Sequence, residues 1–134
     1  MTAGGAGYGR SAAGRVPPGW PAEVPPPGHE RFTDRAVQWL LDVCPPDYRG
    51  HAALLRRPLV LAWLAEQHVD AQLHACERAL QQARGALAER GLDAAATEEV
   101  VEVLHAEGAR LRRTRRSAAL LADALRGSRW VPRL

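Results

Sequence analysis

Five arginines fall within seven residues, Arg110-Leu111-Arg112-Arg113-Thr114-Arg115-Arg116, and guanidinium groups at that density can grip phosphates. On a helix the arginines fan over most of the surface, while Leu111 and Thr114 face a packing seam. Residues 66–77, aligned below as the facing segment, together with residues 107–118 set Glu66, Asp70, Glu77 and Glu107 against the five arginines. A solvated, salt-bridged face is therefore the first expectation. Phosphate binding through Arg112, Arg113 and Arg116 is the alternative, weakened by the lack of interleaved aromatic residues on which bases could stack.

Glu66 and Glu107 fall at positions where an apolar residue would pack better. Facing carboxylates would suit a di-metal bundle, but such bundles need inward Glu-x-x-His pairs, and the residues three positions on are Val69 and Arg110. Glu102 and His105 have that spacing but lie off the seam, with no second copy in the paired segments. The two acids read instead as register-setting groups paired with nearby arginines.

Cys44 and Cys76 have neither C-x-x-C spacing nor a histidine on the same helical face, so neither zinc nor a redox pair is expected. His68, His74 and His105 are expected on outer faces. There is no glycine-rich phosphate loop after a strand and no nucleophile elbow. The residues therefore point to no catalytic group, metal or cofactor, and to a protein that is not an enzyme.

The elements that position these side chains are two long segments of equal length, about 58–90 and 94–126, meeting at Arg90-Gly91-Leu92-Asp93. Leu59, Ala62, Val69, Leu73, Cys76, Leu80, Ala83 and Leu87 recur at spacings of three and four in the first. Val100, Leu104, Leu111, Thr114, Ala118, Leu121 and Leu125 repeat the scheme in the second. The pattern predicts an antiparallel helical hairpin of coiled-coil type, opened by Pro58, with Gly91 ending one arm and Asp93 capping the next. This register pairs Asp70 with Arg115 across the arms.

Phe32, Ala36, Trp39, Leu40 and Val43 share one face of a short helix that Pro45-Pro46 must stop, and this helix should cross the open end of the hairpin. The stretch Leu59 to Ala65 is apolar all round and predicts burial on every side. Trp39, Trp63, Trp130 and Phe32 are expected to gather there, with residues 127–134 as a docking tail. Residues 1–28, rich in Gly, Ala and Pro, predict a disordered arm ahead of a single helical domain over 29–134.

All 18 basic residues of the 134 are Arg, consistent with a GC-rich coding sequence, and the net charge of +3 is too modest to make nucleic acid the default partner. No segment approaches the ~20 apolar residues of a membrane span, and Met1 to Arg15 lack a signal-like apolar run, which gives a cytoplasmic expectation.

The phrases Trp39-Leu40-Leu41-Asp42, Cys44-Pro45-Pro46-Asp47-Tyr48-Arg49, Arg57-Pro58-Leu59-Val60-Leu61-Ala62, Glu107-Gly108-Ala109-Arg110-Leu111 and Trp130-Val131-Pro132-Arg133-Leu134 carry a resemblance. They resemble a group of uncharacterised all-helical proteins from GC-rich Gram-positive bacteria, over roughly residues 30–134. The resemblance implies a helical fold and brings no active-site or binding residues.

The functional expectation is a non-enzymatic scaffold or adaptor for protein–protein interaction. Its candidate contact residues are Ala79, Ala86 and Val103, on a flank of small side chains that the short helix is too short to reach. The partner would be another protein or a second copy of the chain. The alternative is nucleic-acid association through the Arg110–Arg116 band.

Overall fold

The computed structural model describes residues 15–127, which are mostly helical. Helix α1 spans Phe32–Val43, a 3-10 turn spans Pro46–Gly50, and the short α2 spans Ala52–Leu55. Two long helices follow, α3 at Pro58–Glu89 and α4 at Ala94–Leu125. At 1.5 Å per residue each is about 48 Å long.

The turn between them is made by local chemistry. Gly91 adopts φ +86°, and the amides of Leu92 and Gly91 donate to the carbonyls of Leu87 and Ala88, the paired bonds of a glycine helix terminator. Asp93 then caps α4, its carboxylate accepting from the Ala96 amide at 2.8 Å. The chain thus reverses within four residues, and α4 packs back along α3.

The core lies at the open end, where α1 packs on both long helices. Leu40, Leu41, Leu61, Ala62, Ala65, Ala118, Leu121 and Ala122 fill it, with Phe32 and Cys44 at its margin. Toward the tip it narrows to a seam, where Leu73, Cys76 and Leu111, with Leu104 packed against them, form a second cluster and buried Ala83, Thr97 and Val101 continue the line.

Three expectations need correction. First, the disordered arm expected over residues 1–28 is a packed strap where it is described. Val24 is buried in the core, Trp20 stacks on Phe32 with ring centroids 5.9 Å apart, and the Trp20 indole donates to the Val24 carbonyl at 2.7 Å. Turns closed by hydrogen bonds from the Trp20 and Val24 amides to the carbonyls of Pro17 and Pro21 replace regular structure. A proline-rich segment that cannot form a helix or strand can still dock when its apolar side chains find a core. Residues 1–14 lie outside the described residues.

Second, the opening of α3 is not buried all round. Leu61, Ala62 and Ala65 face the core, whereas Leu59, Val60 and Trp63 are 46%, 40% and 58% exposed. Neighbouring helices cover only part of the circumference of α3, and these side chains lie on the part left open. Trp39 sits half-buried against the core, and Trp20 takes up the aromatic packing expected of Trp63. Trp130 and the rest of the expected tail beyond Gly127 lie outside the described residues.

Third, the seam of α4 changes phase along its length. Near the open end Ala118 and Leu121 are buried, as the heptad pattern predicts, with Ala122 beside them, but toward the tip Thr97, Val101 and Gly108 are buried in place of Val100 and Glu107. A straight helix drifts about 20° per heptad, so over three heptads the contact line moves to the neighbouring column.

Candidate partner-binding surface

The two flanks of the hairpin differ. Asp70 and Arg84, fourteen residues apart on α3, lie on one side, and each bonds across to α4. Asp70 pairs with Arg115 at 3.5 Å, and Arg84 makes a two-pronged contact with Glu98 at 3.0 and 3.1 Å. The opposite flank carries Gln72, Ala79 and Ala86, again seven apart. Facing them, α4 offers Val103 and Arg110.

Over the open-end half of this second flank the strap and α1 are already seated. Ser117 donates from its hydroxyl to the Gly19 carbonyl at 2.6 Å, and Arg116 donates from Nε to the Pro18 carbonyl at 3.0 Å. Beyond the end of α1 the flank opens into a cleft of about 640 Å³, lined by Trp39, Cys44, His68, Gln72, Arg110 and Thr114 among others. Tyr48 of the 3-10 turn hydrogen-bonds His68 at 3.0 Å and packs edge-on to its ring, holding the turn against α3. That contact crosses two elements and has no signal in local spacing. Burial pushes the Cys44 thiol up, against the pull of the Arg49 guanidinium, so it is a poor nucleophile.

Past the cleft the flank runs on toward the tip. Ala79 and Ala86 are half-buried and Val103 is 66% exposed, so the three predicted contact residues lie on the part of the hairpin that α1 and the strap leave uncovered. Val103 is turned further out than the heptad pattern implies, because the seam has moved to Val101. From Gln72 to Ala86 the stripe is about 21 Å long, enough for four turns of a partner helix.

Glu107 lies at the seam's edge. Its carboxylate takes two bonds from Arg110, at 2.6 and 2.8 Å, and the arginine holds it below the usual carboxylate range. Glu66 has the opposite character: burial pushes its pKa up, offset in part by Arg126 and reinforced by Asp123 and Asp70.

Of the arginine band, Arg110 and Arg115 are paired with carboxylates and Arg116 is tied to the strap. Arg112 and Arg113 are exposed, and among the described residues neither forms an ion pair. The structure therefore does not bring Arg112, Arg113 and Arg116 together as three equivalent phosphate donors.

Cys44 and Cys76 are both buried and unbridged, and the Cys76 thiol donates to the Leu104 carbonyl across the seam at 3.2 Å. Among the described residues no group of three or more His, Cys, Asp or Glu side chains could hold a metal ion, and no helix is long and apolar enough to cross a membrane. Comparison of the chain with family models, curated proteins and solved structures finds no match.

Proposed function

We propose that the protein is a non-enzymatic helical adaptor whose working surface is the tip half of the small-residue flank, Ala79, Ala86 and Val103. The observation that carries this reading is the 66% exposure of Val103 beside two alanines, on a helix pair whose buried seam toward the tip is a single line of mostly small side chains, Leu73, Cys76, Ala83, Thr97, Val101, Gly108 and Leu111. Helices in proteins are stabilised chiefly by packing an apolar face, and a seam this narrow leaves much of each helix to solvent. Small side chains let another helix approach closely, as in a four-helix arrangement.

The simplest occupant is the same flank of a second copy, giving a two-fold dimer with paired tips. Light scattering after gel filtration tests it. A dimeric mass at micromolar concentration, falling to monomer in the Ala79→Glu, Val103→Glu double variant, is the expected result. A monomeric wild type with an unchanged double variant removes self-association, leaving the adaptor reading to a different protein as occupant.

A second reading rests on Arg112 and Arg113, exposed and free of ion pairs among the described residues: contact with nucleic-acid phosphates. It requires an affinity that falls steeply with salt as counterions are released. Binding of a DNA duplex that is negligible at low salt, or insensitive to salt, rules it out.

A further inference from the structure

Leu59, Val60 and Trp63 stand at spacings of three and four on α3, so they form one apolar patch on the face away from the core, with Leu55 of α2 close in sequence and also exposed. Beside them lies a hollow of about 450 Å³ lined by Thr33, Arg57, Pro58, Leu59, Val60 and Leu125. Leu125 is the last residue of α4, and the described chain ends two residues later at Gly127, whose φ of +90° turns the backbone out of the helix. Seven further residues follow, Ser-Arg-Trp-Val-Pro-Arg-Leu, from Ser128 to Leu134.

We propose that this C-terminal segment is the occupant of the patch: Trp130 and Leu134 cover Leu59, Val60 and Trp63, entering by way of the hollow beside Leu125. Reach permits it. Seven extended residues span about 23 Å, whereas Pro58 to Trp63 covers about 7.5 Å of helix. Chemistry favours it: in an extended segment Trp130 and Leu134 share the face that meets the apolar patch, while Arg129 and Arg133 fall on the opposite face and keep their charges in water. Pro132 favours an extended backbone, which suits a segment laid along a surface rather than one continuing α4.

The open-end interior is not an alternative berth. Leu40, Leu61, Ala62, Ala65, Ala118 and Leu121 are fully buried there, so Trp130 could enter only by displacing packed side chains. The proposed berth, the outer face of α3, is remote from the tip surface proposed for the partner.

Methyl and indole NMR on the full chain tests the assignment. The Trp130→Ala, Leu134→Ala variant should shift the Leu59 and Val60 methyl signals and the Trp63 indole signal. Conversely, Val60→Asp should shift the Trp130 indole signal, a reciprocal readout that does not depend on the first variant. Both effects should be independent of protein concentration. Signals of Leu59, Val60 and Trp63 that ignore the tail substitutions overturn the proposal. Signals that move on dilution of the wild type, with the tail variant behaving identically, assign the patch to a second copy instead.

Discussion

Asp70 on α3 and Arg115 on α4 meet at 3.5 Å across the hairpin, residues forty-five positions apart brought together by the four-residue turn at Arg90–Asp93. Their side chains are 50% and 47% exposed, so solvent screens the attraction. The pair is expected to contribute about 0.2 to 1 kcal/mol. A double-mutant cycle of Asp70→Ala and Arg115→Ala, read by urea unfolding, should give a coupling in that range that vanishes at about 1 M salt, where the screening length is only ~3 Å. A coupling unchanged by salt would show that the contact is not the exposed ion pair described.

That pairing was readable from the sequence because a hairpin with a short loop fixes which residues lie opposite one another. The apolar spacing, Pro58, Gly91 and Asp93 specify both arms to within a residue, and Phe32 to Val43 declare the short helix by the same logic. Other features depend on relations no local pattern encodes. The strap is bound by main-chain carbonyls of Pro18 and Gly19 to Arg116 and Ser117, nearly a hundred residues away, and its proline content reads as disorder. The outward turn of Trp63 depends on which sides of α3 acquire neighbours. The shift of the α4 seam from Glu107 to Gly108 reflects a fractional helical period accumulated over three turns of a heptad pattern. For the candidate surface, Ala79, Ala86 and Val103 were legible as a flank; the cleft behind them needed α1 and the Tyr48 turn in place.

Glu66 gives a pH-dependent prediction of definite sign. Burial raises its pKa in the folded chain, so the native state holds the proton to higher pH than the unfolded state does. Ionisation of this group therefore opposes folding: the penalty is absent in acid, sets in between the unfolded and folded values, and persists at neutral pH. Glu66→Gln should raise the unfolding midpoint at neutral pH and give little difference near roughly pH 3, where the carboxylic acid is already neutral. An equal gain at both pH values would assign the effect to packing rather than charge.

The glycines of the arms should respond in opposite directions. A Cβ on Gly85 would meet nothing within 4 Å, and one on Gly108 would meet Cys76 Sγ and the Arg112 guanidinium no closer than 3.7 Å, an ordinary contact. Both lie inside helices, so Gly85→Ala and Gly108→Ala should each stabilise by up to about 1 kcal/mol. Gly91 needs its positive φ to close the turn, so Gly91→Ala should destabilise by about 1 to 2 kcal/mol. Denaturant midpoints at unchanged m-value decide the series, and destabilisation by Gly108→Ala would mean that the seam at Cys76 is tighter than described.

The strap supplies the last prediction, because Gly19 is constrained twice. Its φ is +95°, a conformation that side chains disfavour, and an added Cβ would lie 2.6 Å from Arg116 Nε. Gly19→Ala should therefore loosen the strap from α4, breaking the bonds from Arg116 to Pro18 and from Ser117 to Gly19 and exposing Trp20 and Val24. The two causes are separable. Arg116→Ala removes the steric contact and one hydrogen bond, worth about 0.5 to 1.5 kcal/mol or somewhat more for a charged donor, and leaves the backbone strain in place. If the clash dominates, Gly19→Ala should cost much less in an Arg116→Ala background than in the wild type. If φ dominates, the cost should be about 1 to 2 kcal/mol in both. Amide exchange at Trp20 and Val24, whose backbone N–H groups close the two turns, reports strap opening separately from global unfolding. Exchange at these sites no slower than in an unstructured peptide in the wild-type chain would show that the strap is not held in place, and the burial of Val24 would then have to be given up with it.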